Sequence, residues 1–204
     1  RTDAIIAAIE ESQPKLTILA TPNNPTGLAI PRMDVERIIR ASKGFVVIDE
    51  AYHEFNPEGS AVDMLSHYPN VIVMRTFSKA FGLAGLRVGY LIGRAPVIGE
   101  MMKARLPFMV DRLAEQVALL LLRHKDLVRE RIESIQENPS ALFEAMSEIE
   151  GLEVLPSHTN FLLFRTGQDP ATLLNALADR GVLVRNMGGY EELKGFLRVT
   201  SGTT

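Results

Sequence analysis

The stretch FVVIDEAY, residues 45–52, decides how this chain is read. An apolar run, three of its members β-branched, meets a carboxylate at Asp49, and a phenol follows at Tyr52. A short apolar run bounded by polar residues fits a strand covered on both faces. The run upstream, LTILA (16–20), and the run downstream, VIVMR (71–75), have the same texture. Helix-like segments lie between them, MDVERIIRAS (33–42) and AVDMLSHY (61–68), so the three runs predict parallel strands joined by crossovers. A fourth run, VGYLIG (88–93), comes too soon for a crossover and is expected to pair antiparallel.

Further out, the pattern predicts helices near 95–106, 112–124 and 126–137, the last with Val128, Ile132 and Ile135 on one face. Pro139 is expected to break that helix. From 140 the texture changes to a helix (140–149), LEVLP (152–156), NFLLFR (160–165), a helix ATLLNALADRG (171–181), VLVR (182–185) and FLRVT (196–200). The expected fold class is α/β, a mostly parallel sheet with helices on both faces, plus a small α+β C-terminal domain. The expected division is 1–124 for the larger part and 125–204 for the smaller, which begins with a long connecting helix.

Composition narrows the classes. Of 204 residues 46% are hydrophobic, enough to bury a core, and the net charge of −3 carries no nucleic-acid footprint. With no cysteine, disulfides and thiol catalysis are excluded. No apolar run reaches membrane-spanning length and the first residues lack a signal-peptide layout, which suits a cytoplasmic enzyme with small-molecule partners and neither nucleic acid nor membrane. His53, His67, His124 and His158 are scattered, and no metal site is expected.

Polar residues gather at the carboxyl ends of the three expected strands: Asn23 and Asn24, then Asp49 and Tyr52, then Thr76, Ser78 and Lys79. In open α/β sheets ligands bind beyond those ends. Taken singly, each has an ordinary explanation: turn chemistry for Asn24, a helix cap for Asp49, core edge for Tyr52, surface for Lys79, an acid partner for Arg87. One chemistry uses them all. A lysine amine forms a Schiff base with an aldehyde, and for pyridoxal 5′-phosphate (PLP) an acidic residue holds the pyridinium nitrogen protonated. Lys79 and Asp49 fit those roles, with Tyr52 and Asn24 on the ring's phenolic oxygen. Thr76, Ser78 and Arg87 would receive the phosphate. Gly82 and Gly85 let backbone approach closely.

NNPTG (23–27), DEAYHEF (49–55) and TFSKAFGLAGLRVGY (76–90), in that order, resemble the fold-type I PLP-dependent aminotransferases, and SKAFGLAGLRVGY is most similar to the histidinol-phosphate aminotransferase group. PSHTNFLLFR, GVLVRNMGGY and FLRVTSGT resemble that group's small domain. The resemblance implies that Lys79 bonds the cofactor and shuttles the α-carbon proton. It implies that Arg198 binds the substrate α-carboxylate and that Arg185 lies near a distal anionic group. The implied reaction moves an amino group from histidinol phosphate to 2-oxoglutarate in histidine biosynthesis. An aromatic or broad-range aminotransferase, or an amino-acid-phosphate decarboxylase, shares the same lysine chemistry. A transcription regulator with an aminotransferase-like domain is a more distant reading. The family's earlier phosphate loop, ring-stacking aromatic and N-terminal arm have no counterpart here. The resemblance therefore predicts part of a longer enzyme, a homodimer at full length and inactive as these residues alone.

Overall fold

The β-branched runs form strands, and their alternation decides which faces are covered. In the computed structural model, which describes residues 2–56 and 58–201, the chain divides into two compact units. One runs through Pro22 and resumes over Ala29–Arg129; the other comprises Asn23–Leu28 and the chain from Glu130 onward.

In the first unit β1 (Leu16–Ala20), β2 (Phe45–Asp49) and β3 (Val71–Thr76) are parallel neighbours, and β4 (Gly89–Gly93) pairs antiparallel with β3. Val46, Ile48, Val71 and Val73 alternate onto one face. They pack there with Ile9 of α1 (Thr2–Ser12), with Val35, Ile38 and Ile39 of α2 (Arg32–Ala41), and with Met64 of a 3₁₀ turn (Ala61–Ser66). On the other face Ile98 of α3 (Ala95–Lys103) lies over Gly93 beside Ile72. Ala114 and Ala118 of α4 (Arg112–Arg123) pack with Phe77 and Val88. Segment 61–68, helix-like in sequence, is only a 3₁₀ turn: Ser60 Oγ accepts the Val62 N–H, and β3 begins five residues after Ser66.

α5 (Lys125–Ser147) begins in the first unit and ends in the second. It corrects one expectation, since it runs through Pro139 without stopping. An interior proline removes one hydrogen bond and tends to kink a helix, at about 3 kcal/mol. Here its ring is buried, which offsets part of that cost.

The second unit has a sheet of order β5-β6-β8-β7, antiparallel throughout: β5 (Leu152–Val154), β6 (Phe161–Thr166), β7 (Arg185–Asn186) and β8 (Phe196–Thr200). Phe161 to Phe164 are buried in succession, so β6 is covered on both faces. The run VLVR is a strand only at its last residue. Gly181, at φ +77°, and Val182, whose N–H bonds Leu177, complete the turn after α6 (Pro170–Ala178) and delay the strand.

Candidate active site

Within the first unit the ends of β2 and β3 carry the expected side chains. Asp49 ends β2 half-buried, its Oδ1 accepting the N–H of Ala51 at 3.0 Å. That bond folds the chain into a turn and brings Tyr52, 5% exposed, to the start of a 3₁₀ turn over His53–Phe55. Past β3, Thr76 Oγ1 donates to Ser78 Oγ at 2.9 Å and accepts the Ser78 N–H at 3.0 Å, a local bridge that sets both hydroxyls on one turn. Lys79 follows. Its carbonyl accepts from Gly82 N at 2.9 Å, and Gly82 at φ +69° closes the loop without Cβ strain. Phe77 anchors that loop, its ring 4.8 Å from Phe81 and 5.6 Å from Tyr90.

Lys79 Nζ lies 5.3 Å from the centroid of the Tyr52 ring, so the lysine of β3's end meets the phenol of β2's end. Among the described residues this half-buried ammonium pairs with no carboxylate. Arg87 is exposed, in the left-handed region at φ 54°, and its Nη1 donates to the Ala84 carbonyl at 2.9 Å. It is therefore held by its own loop beside the turn that carries Lys79.

Asn24, Arg185 and Arg198 belong to the second unit. Asn23 Oδ1 accepts from Thr26 N and Oγ1, and Gly27 N bonds the Asn23 carbonyl at 2.7 Å, which closes the NNPTG turn. The Gly27 carbonyl in turn accepts from His158 N at 2.8 Å. Asn24 is exposed, and its Oδ1 accepts from Arg198 Nη1 at 2.6 Å across 174 residues of sequence. The Arg198 guanidinium stacks 4.7 Å over the Phe161 ring. Arg185 stands directly opposite Arg198 in the β7–β8 register. Two cations so placed repel unless an anion joins them.

Sequence reading passed over an ion pair in the first unit, the buried Glu50 and the half-buried Arg75, which meet at 3.0 Å one residue from Asp49 and Thr76. A carboxylate directly after Asp49 and a guanidinium closing an apolar strand were the available signals. His53 sits next to this pair. Burial, aided by the Arg75 charge and opposed by Glu50, lowers its pKa below 6.5. Burial likewise raises the Glu54 carboxyl above its usual value. A cavity of about 590 Å³ in the second unit is lined by Leu142, Met146, Phe164, Leu173, Leu177 and other mostly aliphatic chains, and none of the residues above faces it. Among the described residues no metal-binding cluster exists, and no helix is long and apolar enough to cross a membrane.

The family described as aminotransferase class I and II matches residues 1–204. The histidinol-phosphate aminotransferase of Thermoanaerobacter sp. (strain X514) is 43% identical over 97% of this chain and 56% of its own length. The chain thus spans about half the length of the curated relatives it matches. Among solved structures, the histidinol-phosphate aminotransferase from Sinorhizobium meliloti in complex with pyridoxal-5′-phosphate superposes with a TM-score of 0.89 at 30% identity, over 98% of this chain and 56% of that one. The L-threonine-O-3-phosphate decarboxylase from Porphyromonas gingivalis gives 0.82 at 26%, over 94% and 60%.

Proposed function

The chain belongs to the aminotransferase class I and II family, and on that premise we propose that its protein is a PLP-dependent aminotransferase transferring the amino group of histidinol phosphate to 2-oxoglutarate in histidine biosynthesis. The observation that carries the reading is Lys79, half-buried over the buried Tyr52 ring with no carboxylate partner among the described residues. An amine held this way is placed for covalent chemistry rather than for an ion pair. The donor set around it suits the cofactor: a carboxylate for a ring nitrogen, a phenol for a ring oxygen, and hydroxyls with a guanidinium for a phosphate.

When bound, the cofactor supplies an aldehyde that takes up an amino group and a ring that accepts the electron pair freed at the α-carbon. Asp49 holds the proton on the ring nitrogen. Tyr52 and Asn24 are assigned the phenolic oxygen, and Thr76, Ser78 and Arg87 the phosphate. Lys79 Nζ holds the cofactor between turnovers and carries the proton to and from the substrate α-carbon. Arg198 is assigned the substrate α-carboxylate and Arg185 its distal phosphate. Their direct opposition on β7 and β8 supports anion binding there, because an anion relieves the repulsion. The same reading includes a homodimer and a division into a large cofactor domain and a small domain near residue 125. A second reading, decarboxylation of an amino-acid phosphate, is favoured by the likeness to the threonine-phosphate decarboxylase.

The test is titration of the protein with PLP, followed by borohydride reduction and peptide mapping. The expected result is a visible absorption band and a label on Lys79, and a label elsewhere or no band refutes the assignment. Asp49→Ala should lower transamination by about 10²–10⁴-fold, the usual weight of one acid–base group. Turnover with histidinol phosphate against release of CO₂ from threonine phosphate separates the two readings.

A further inference from the structure

Side chains alternate along a strand, so Asp49 and Glu50 leave the end of β2 on opposite sides. Asp49 is half-buried and Glu50 is 2% exposed. The β2–β3 register ends at Asp49 opposite Met74, and the bond from Glu50 N to the Met74 carbonyl, 2.8 Å, is the last one made by the main chain. One residue later the side chains take over. Arg75 Nε donates to Glu50 Oε2 at 3.0 Å, and Arg75 Nη2 donates to Ser60 Oγ at 2.7 Å. Ser60 Oγ donates to the Glu50 carboxylate, and Glu50 Oε1 also accepts the Ala61 N–H at 2.6 Å. Tyr90 stands opposite Arg75 in the β3–β4 register, and its interaction with the guanidinium favours the charged form.

We propose that the Glu50–Arg75 pair is a positioning device: it fixes the end of β2, bearing Asp49 and Tyr52, against the end of β3, bearing Thr76, Ser78 and Lys79. The proposal rests on the PLP reading above. Stability alone does not call for such a pair, since well-packed apolar side chains of similar volume serve as well or better. What the pair adds is direction. The planar fork of Arg75 joins the carboxylate and the Ser60 hydroxyl at once, so neither strand end can slide past the other without breaking several short bonds. It acts one residue from Asp49 and one from Thr76, where the parallel ladder no longer holds the two chains. Burial opposes the Arg75 charge, but Tyr90 and Glu50 outweigh it and raise its pKa. Other ionisable groups near it are His53, Glu54 and Tyr90, with Arg32 and Glu58 lining the same small pocket as Glu50 and Ser60.

The test compares Glu50→Gln with wild type and with Ile39→Ala, a core variant on α2 of the same unit whose side chain makes none of these hydrogen bonds. PLP affinity and the pH midpoint of the visible band are read on folded protein. Glu50→Gln should bind PLP about tenfold more weakly, about 1.4 kcal/mol, and move the midpoint by about half a unit, while Ile39→Ala changes neither. Ser60→Ala, which removes only the shared hydroxyl, should shift both in the same direction by less and carries the test if Glu50→Gln does not fold. Unchanged affinity and midpoint in the folded variant overturn the positioning role and leave the PLP reading intact. Equal shifts in Ile39→Ala also overturn it, since a general loss of stability would then explain them. A wild type that shows no band overturns the PLP reading and this role with it.

Discussion

Gly27→Ala is the substitution whose cost can be worked out most fully. Gly27 sits at φ +76° in the NNPTG turn. A Cβ built there would lie 2.4 Å from Ser157 Oγ, 2.8 Å from Ser157 Cβ and 3.3 Å from Ser157 Cα. Two penalties follow: left-handed strain of about 1–2 kcal/mol and overpacking of about 1–3 kcal/mol. Together they make the single variant about 2–5 kcal/mol less stable. The two parts separate because the clash is with a side chain and the strain is not. Ser157→Ala removes the Oγ contact but leaves the Cβ contact. Ser157→Gly removes both and itself loses the bonds Ser157 makes to Thr159 at 2.7 and 3.1 Å. A double-mutant cycle of Gly27→Ala with Ser157→Gly should therefore show a favourable coupling of about 1–3 kcal/mol, leaving about 1–2 kcal/mol of strain. Because Gly27 and Ser157 both lie in the second unit, the readout is amide hydrogen exchange of β6 and β8, whose protection reports opening of this unit. A Gly27→Ala protein with wild-type protection would refute the strain argument. A double variant no better than the sum of its singles would refute the steric one.

Acidification should find His53. Its folded pKa lies below the 6.5 of the unfolded chain, so its contribution is intact above pH 6.5 and is lost as pH falls from 6.5 through the folded value. In urea titrations across that window His53→Gln should lose less stability than wild type, and an identical loss would show that burial of this imidazole does not matter. Arg198→Lys keeps the charge but not the planar fork that reaches Asn24 and stacks on Phe161. It should raise the KM for the amino donor by about tenfold or more, about 1.4 kcal/mol, with a smaller change in kcat. An unchanged KM would remove Arg198 from substrate binding.

Much of this fold can be read along the chain. LTILA, FVVID and VIVMR are β-branched runs separated by amphipathic helix patterns, and local preference and burial agree at each, so strand order and direction follow. NNPTG, DEAY and TFSK are equally legible, because a turn, a strand end and a loop each need particular residue types at fixed offsets. Pro139 misled because a helix break is a local rule, whereas burial of the ring, which offsets part of its cost, is set by the folded structure. VLVR misled because the turn after α6 reaches forward to Val182.

The sequence alone therefore determined the strands, the parallel order and the lysine, aspartate and tyrosine at their ends, since each is a property of a few consecutive residues. Only the tertiary structure decided the partners. It put Arg75 on Glu50 rather than elsewhere, Arg198 on Asn24 across 174 residues, and Arg185 opposite Arg198. Pairing between side chains far apart in sequence depends on strand register and on which face each residue meets. Neither is written in any single stretch of the chain.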